Sequence, residues 1–153
     1  MRYENAAVIE EFRANGGKVG GRFTGLDMVL LTTTGARTGA SHTTPLACFT
    51  DGDRLFVIAS NGGSDRHPDW YHNLVAQPEL IVETGHETYR ATAAPVMDDA
   101  EHDRLYALAE ARRSRFAEFR ASTGRRIPVL TIARSPDTDT DTDTETATDT
   151  NTD

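Results

Sequence analysis

Apolar positions fall in two rhythms along this chain. Over residues 5–14, Val8, Ile9 and Phe12 recur at helical spacing and Asn5 stands where a cap is needed, so a short amphipathic helix is predicted. Gly16 and Gly17 stop it. Residues 18–27, with three further glycines, read as an irregular segment able to lie over a neighbouring site. The helix lacks the basic polar face and bulky apolar face that a membrane surface requires. Its apolar stripe is therefore expected to pack on the body or on a partner subunit.

From residue 28 the rhythm is that of strands. Met28–Thr34 is an unbroken apolar and β-branched run. Residues 43–50 and 54–60 are predicted to form a hairpin across Asp51-Gly52-Asp53, and residues 80–84 and 87–96 a second across Gly85-His86. Residues 127–133 read as a last strand. Between the hairpins, residues 67–74 read as a short helix with Pro68 in its first turn. Residues 98–113 read as a longer one, opened by acids and closed by arginines as the macrodipole favours, with 116–122 continuing it after a break. Six short strands joined mainly as hairpins predict a closed antiparallel barrel with peripheral helices, α+β in class and mainly β. Beyond residue 134 Thr alternates with Asp, and nothing there can bury a core. Residues 1–134 are thus the expected folded domain and 135–153 a disordered acidic tail, either solubilising or the product of repeat drift.

Charge sharpens this division. The formal net charge is −8, from 24 acids against 16 lysines and arginines, but residues 135–153 hold seven of the acids and no base. The body is left close to neutral, and without basic excess or interleaved aromatics it is not expected to bind nucleic acid. The one cysteine, Cys48, excludes an internal disulfide and suits a reducing cytosol. No apolar run reaches the roughly 18 residues of a membrane span, and the N-terminal MRYENAAVIEEF carries acids where a signal peptide needs an apolar core. A cytoplasmic protein with no membrane span is expected, as a monomer or a homodimer.

Candidate chemistry concentrates in residues 32–46, TTTGARTGASHTTPL. Two glycines allow the backbone to turn its N–H groups toward a ligand, Thr38 adds a hydroxyl and Arg37 a planar charge suited to phosphate. The same residues also suit a Gly-rich hairpin turn with a surface arginine, and the spacing matches neither the phosphate loop nor the dinucleotide fingerprint. Elsewhere the signals are weaker. His67 and His72 are five apart, the wrong offset for one helical face, so a metal site is not expected. Cys48 on an apolar strand reads as packed core, and no nucleophile-elbow sequence supports hydrolysis. Arg125-Arg126 reads as a solvated face.

Several of these stretches together resemble the deazaflavin-dependent nitroreductase family. The likeness runs from about residue 10 to 132 through EEFRANGGKVGG, LLTTTGARTG, TTPL, DGDRLFVIASNGG, HPDWYHNL and RRIPVL, in that order. It implies a split β-barrel that binds coenzyme F420 and passes a hydride from its C5 to an electron-poor small molecule such as an enone, a quinone or a nitro compound. It also implies site residues. Arg37, Thr38 and Gly39 match the loop holding the cofactor's phosphate. His42, Thr44, Pro45 and Leu46 match the segment along its chain and ring; Ala59, Ser60 and Asn61 match the strand end beside the deazaflavin; Trp70, Tyr71 and Asn73 match the helix closing the other side. Ser60 is the one catalytic candidate, although the same serine would serve as a capping hydroxyl. Trp70 reads as a core anchor, a stacking partner, or both.

The chain departs from the family pattern in two ways. Ala36, His42 and Asn61 stand where the family usually carries cations, which implies a weaker hold on the cofactor's glutamate tail. Flavin mononucleotide, with one phosphate and no glutamates, is the natural rival. Arg113, Phe116 and Phe119 occupy the substrate-pocket positions that hold tyrosines in nitroimidazole-reducing members, so an enone or quinone is expected in preference to a nitroimidazole. A third reading is a non-catalytic carrier of cofactor or of a lipid-like ligand, favoured by the missing cations and the apolar Phe116 and Phe119.

Overall fold

The computed structural model describes residues 2–136, without the side chains of residues 2–4 and 22. The expected disordered tail thus lies, from residue 137 onward, outside the described residues. In chain order the elements are α1 (Arg2–Ala14), β1 (Met28–Thr34), β2 (Ser41–Ala47), β3 (Phe49–Asp51), β4 (Arg54–Ile58), α2 (Asp69–Ala76), β5 (Glu79–Glu83), β6 (Thr88–Pro95), α3 (Asp99–Arg112), α4 (Arg115–Ala121) and β7 (Val129–Arg134), with 3-10 turns at Gly21–Phe23 and Asn61–Gly63. The strands form one antiparallel sheet of seven in the order β2-β1-β5-β6-β7-β4-β3.

Two expectations need correction here. The predicted strand 43–50 is two strands, so the sheet has seven members instead of six. The chain runs along β1 as far as the pairing of Ala47 with Met28, and the Cys48 N–H still donates to the Asp27 carbonyl at 2.9 Å. From Phe49 on it pairs with β4. Residues on both sides of the break are apolar or β-branched, so the pattern carries no mark of it. The barrel is also not closed by hydrogen bonds: β2 and β3 are the two edges, and no ladder joins them among the described residues. Only Cys48 stands between them in the chain, so the sheet curls until its edges meet at that corner. This is a split barrel.

Period-two alternation assigns the two faces. Val29 and Leu31 of β1, Val57 of β4, Val82 of β5 and Leu130 of β7 point inward to one core, which Trp70 and Leu74 of α2 plug. The outer face is covered in two places. Met28 and Leu30 pack beneath Phe12 of α1 and Val19. Phe49, Phe56 and Ile58 pack beneath Leu105, Tyr106 and Ala109 of α3 and Phe116 of α4. Coverage on both sides explains why β1 reads as a continuous apolar run without strict alternation.

Polar contacts fix the helices. Asp98 caps α3, its carboxylate accepting from the Glu101 N–H at 2.9 Å. Arg13 of α1 pairs with Glu83 of β5 at 2.7 Å. Beside that pair, Gly16 and Gly17 lie directly on the β5–β6 turn: a Cβ on Gly85 would stand 1.8 Å from the Gly16 carbonyl oxygen. Replacing Gly85 by Ala forces backbone apart from backbone and should cost about 1–3 kcal/mol. That corresponds to a thermal midpoint lower by roughly 3–10 °C, read by circular dichroism.

The β3–β4 hairpin is tied to α3 by two exposed arginines and two half-buried acids. Arg54 reaches Asp51 and Glu101, each at 2.6 Å, and Arg104 reaches the same two acids at 2.7 and 2.8 Å. Hydrogen bonds from Arg104, and next from Arg54, hold Glu101 down at about 2 and Asp51 well below the usual carboxylate range. Carboxyls that ionise more readily when folded stabilise the fold above their unfolded pKa of roughly 4, and that contribution is lost as pH falls toward 2. The thermal midpoint should therefore drop on acidification from about pH 5, and Arg104→Gln should flatten that drop in the same titration.

Candidate functional site

The loop between β1 and β2 is indeed a hairpin turn, and it also has the features of an anion cradle. The Gly35 N–H donates to the Ala40 carbonyl at 2.7 Å, the Gly39 N–H to the Gly35 carbonyl at 2.9 Å, and the Ala40 N–H to the Thr38 hydroxyl at 3.2 Å. Gly39 sits at φ +76°, where a side chain would be strained. Gly35 is fixed by crowding instead: its Cβ would stand 3.0 Å from His42 Nε2 and 3.1 Å from Thr38 Oγ1. Arg37, Thr38, Gly39 and His42 are exposed. Among the described residues the backbone N–H groups of Arg37 and Thr38 find no acceptor. Unsatisfied donors beside an exposed guanidinium favour a bound anion.

Asn73, expected to touch cofactor, is instead the buried pin behind this loop. Its Oδ1 accepts from the Ala36 N–H at 3.0 Å and its Nδ2 donates to the Thr33 hydroxyl at 3.2 Å, so α2 locks the first residue of the turn to the end of β1.

Along β2 the predicted residues divide by face. His42, Thr44 and Leu46 stand opposite Thr33, Leu31 and Val29, on the inner face. Pro45 pairs with Leu30 and is buried toward the outer face, away from them. A proline is tolerated there because β2 is an edge strand, with no neighbour for the missing N–H to serve. Leu46 shares one apolar cluster with Ala59, Trp70 and Tyr71, so the structure does bring the two walls and the helix together. Trp70, only 6% exposed, serves as the anchor of α2. Tyr71 is half-buried.

The far wall is held from behind by the segment that follows α4. Ser122 donates to the Gly63 carbonyl at 3.0 Å and Thr123 to Asp65 at 2.8 Å. Arg125 donates to the Ser64 carbonyl, the Ser60 carbonyl and His67 Nδ1, each at 2.8 Å. Arg125 is thus a clamp, not the solvated charge expected from its sequence. Asn61, at φ +48°, spends its side-chain amide on the Arg66 carbonyl at 3.0 Å. The Ser60 hydroxyl is half-buried and engages no described residue.

The expected substrate positions are largely occupied by packing. Arg113 donates to the Thr24 carbonyl, tying residues 20–27 to the α3–α4 junction. Phe116 is 8% exposed and meets Phe49 edge-on at 5.3 Å. Phe119, half-buried beside Gly63, keeps part of its ring accessible. His67 and His72 do approach each other, ring to ring at 5.7 Å, because His67 lies before the helix and not on its face. No group of three or more His, Cys, Asp or Glu residues able to hold a metal occurs among the described residues. Cys48 is packed core, as expected, and burial pushes its thiol up to about 12. No helix of the described residues is long and apolar enough to cross a membrane. An open groove of about 730 Å³ lies elsewhere, at the foot of the loop across β1, β5 and β6, where it is lined by Thr32, Thr34, Ile81 and Arg90.

The fold is a split barrel, and its β1–β2 loop presents free backbone donors beside an exposed arginine. The chain belongs to the F420H(2)-dependent quinone reductase family, whose model matches residues 5–133. It is therefore an oxidoreductase with coenzyme F420 as its cofactor, as the motifs implied. An F420H(2)-dependent quinone reductase of Mycobacterium tuberculosis strain H37Rv is 37% identical over 126 residues, 80% of this chain and 85% of that protein. The solved F420-H2 dependent reductase FDR-A is 33% identical with a TM-score of 0.62, covering 69% of this chain and 92% of that one. A chain described as a domain-swapped dimer is 30% identical with a TM-score of 0.64, covering 86% of this chain and 95% of that one.

Asn73→Ala should strand the Thr33 hydroxyl and the Ala36 N–H and cost about 1–3 kcal/mol in denaturant unfolding. The same variant should bind F420 more weakly in a fluorescence titration, because the loop loses its pin.

Proposed function

We propose that this protein reduces quinones with F420H2 held between β2 and α2, the phosphate in the loop at residues 35–39. The observation that carries this reading is the pair of unsatisfied N–H groups at Arg37 and Thr38, beside an exposed arginine and braced by Asn73. A lactyl phosphate needs such donors and a cation. Leu46 and Thr44 on one side, Ala59 and Ser60 on the other, and Tyr71 across the end would enclose the ring and exclude water from the reacting face.

When bound, the reduced deazaflavin supplies a hydride to an electron-poor carbon or oxygen of the acceptor. The protein's share is to orient and to dry the site. Arg37 anchors the phosphate end. Trp70 fixes the angle of α2, and the Ser60 hydroxyl is free to hydrogen-bond the ring edge or the acceptor. Phe119 offers the apolar side of the acceptor site. The working unit is residues 1–134, acting in the cytoplasm as a monomer or homodimer.

Titration with F420 and, in parallel, with flavin mononucleotide tests this assignment. Arg37→Ala should weaken F420 by about 10- to 100-fold, the range for a charge-assisted hydrogen bond to phosphate. It should also reduce the salt dependence of binding. The neutral Ala36 and exposed His42 favour flavin mononucleotide as the second reading. Binding of that nucleotide alone would establish it and sink the F420 site.

A further inference from the structure

Arg125 and His67 form a pair whose protonation is decided by geometry. The Arg125 guanidinium can only donate, so His67 Nδ1, at 2.8 Å from it, must present a lone pair. The ring proton then sits on Nε2. A second proton on Nδ1 would face the guanidinium directly. Burial first, then Arg125 and His72, hold the His67 pKa below its ordinary value, so the neutral ring prevails. Around it stand Tyr71, ring to ring at 4.7 Å, and His72 at 5.7 Å. Asp65 lies behind Arg125 and is engaged by Thr123. His67 Nε2 has no acceptor among the described residues.

The same guanidinium reaches the Ser60 carbonyl at 2.8 Å. One planar group therefore sets the backbone of Ser60 and the tautomer of His67 together, next to Tyr71. We propose that Arg125 is a positioning residue that holds His67 as a neutral Nε2–H donor, and that this N–H hydrogen-bonds the carbonyl oxygen of the electron acceptor.

The proposal rests on the placement of the cofactor ring beside Ser60 and Tyr71 given above. Addition of a hydride brings two electrons to a quinone and leaves one of its oxygens anionic. An N–H aimed at that oxygen stabilises the charge as it develops. The oxygen then takes its proton from water, and His67 keeps its own. A neutral imidazole suits this role because it polarises a carbonyl without gaining or losing a proton over the working pH range.

Three observations on the full chain test it, with F420H2 and a soluble 1,4-naphthoquinone as the acceptor. In the wild-type protein, nitrogen NMR of labelled histidine should show His67 as the Nε2–H tautomer at neutral pH, and Arg125→Gln should erase that preference. His67→Phe should bind F420 within about threefold of wild type, yet lose about 100- to 1,000-fold in kcat, the scale for removing one such donor. His67→Gln, whose amide reaches the place of Nε2, should recover more of that loss than His67→Asn, whose amide reaches only Nδ1. An Nδ1–H tautomer or an imidazolium in the wild type overturns the proposal without any variant. So does a His67→Phe enzyme that turns over at the wild-type rate with cofactor bound, or equal loss in the Gln and Asn variants. Failure of the wild type to bind F420 would instead overturn the site assignment beneath it, and a binding titration separates the two.

Discussion

The constraint on which this fold depends is a chain connection one residue long. β2 and β3 are the opposite edges of a seven-stranded sheet, and Cys48 alone lies between them. One residue cannot span a flat sheet of that width, so the sheet must curl until its edges touch. They touch at one corner only. Away from Cys48 the free edge of β2 runs toward the Gly35–Gly39 loop, while β4 continues past its last pairing with β3 toward Ala59 and Ser60. Topology thus sets those two stretches apart before any side chain is considered, and Trp70 and Leu74 of α2 pack into the core inside the curl.

Each of these two stretches is then made rigid by a polar side chain outside it. Asn73 works from within, joining the start of the loop to β1. Arg125 works from behind, gathering Ser60, Ser64 and His67 around one guanidinium. Both use hydrogen bonds to backbone or to buried groups, where an unmade bond is costly, so geometry is held more firmly than apolar packing alone would hold it. A cofactor that performs the chemistry itself asks mainly for this kind of service from its protein.

Much of this was legible in the residues. β1 runs over Met28–Thr34, as its unbroken apolar and β-branched pattern indicated, and the two hairpins turn where Gly52 and Gly85 stand. The motif order carried the family. The break at Cys48 was invisible because a strand that changes partners keeps the same hydrophobicity. Pro45 falls on the opposite face from Thr44 and Leu46 because a strand alternates its side chains, which a motif of adjacent residues does not show. Arg125 was hidden for another reason: whether an arginine is solvated or gathers three acceptors depends on what folds against it, and residues 60–67 lie some sixty positions away. The substrate positions were legible as aromatic and basic, but not as already engaged by Phe49 and by the Thr24 carbonyl.

The corner residue has one more consequence. Quinones are electrophiles, and thiolates add to them readily, so an enzyme that handles them risks being alkylated by its own substrate. The only thiol in this chain sits at the meeting of the two sheet edges, 7% exposed, its proton retained up to about 12. A thiol that neither ionises nor reaches solvent is a poor nucleophile. The curl that brings the sheet edges together therefore also removes from reach the one sulfhydryl that could add to a quinone.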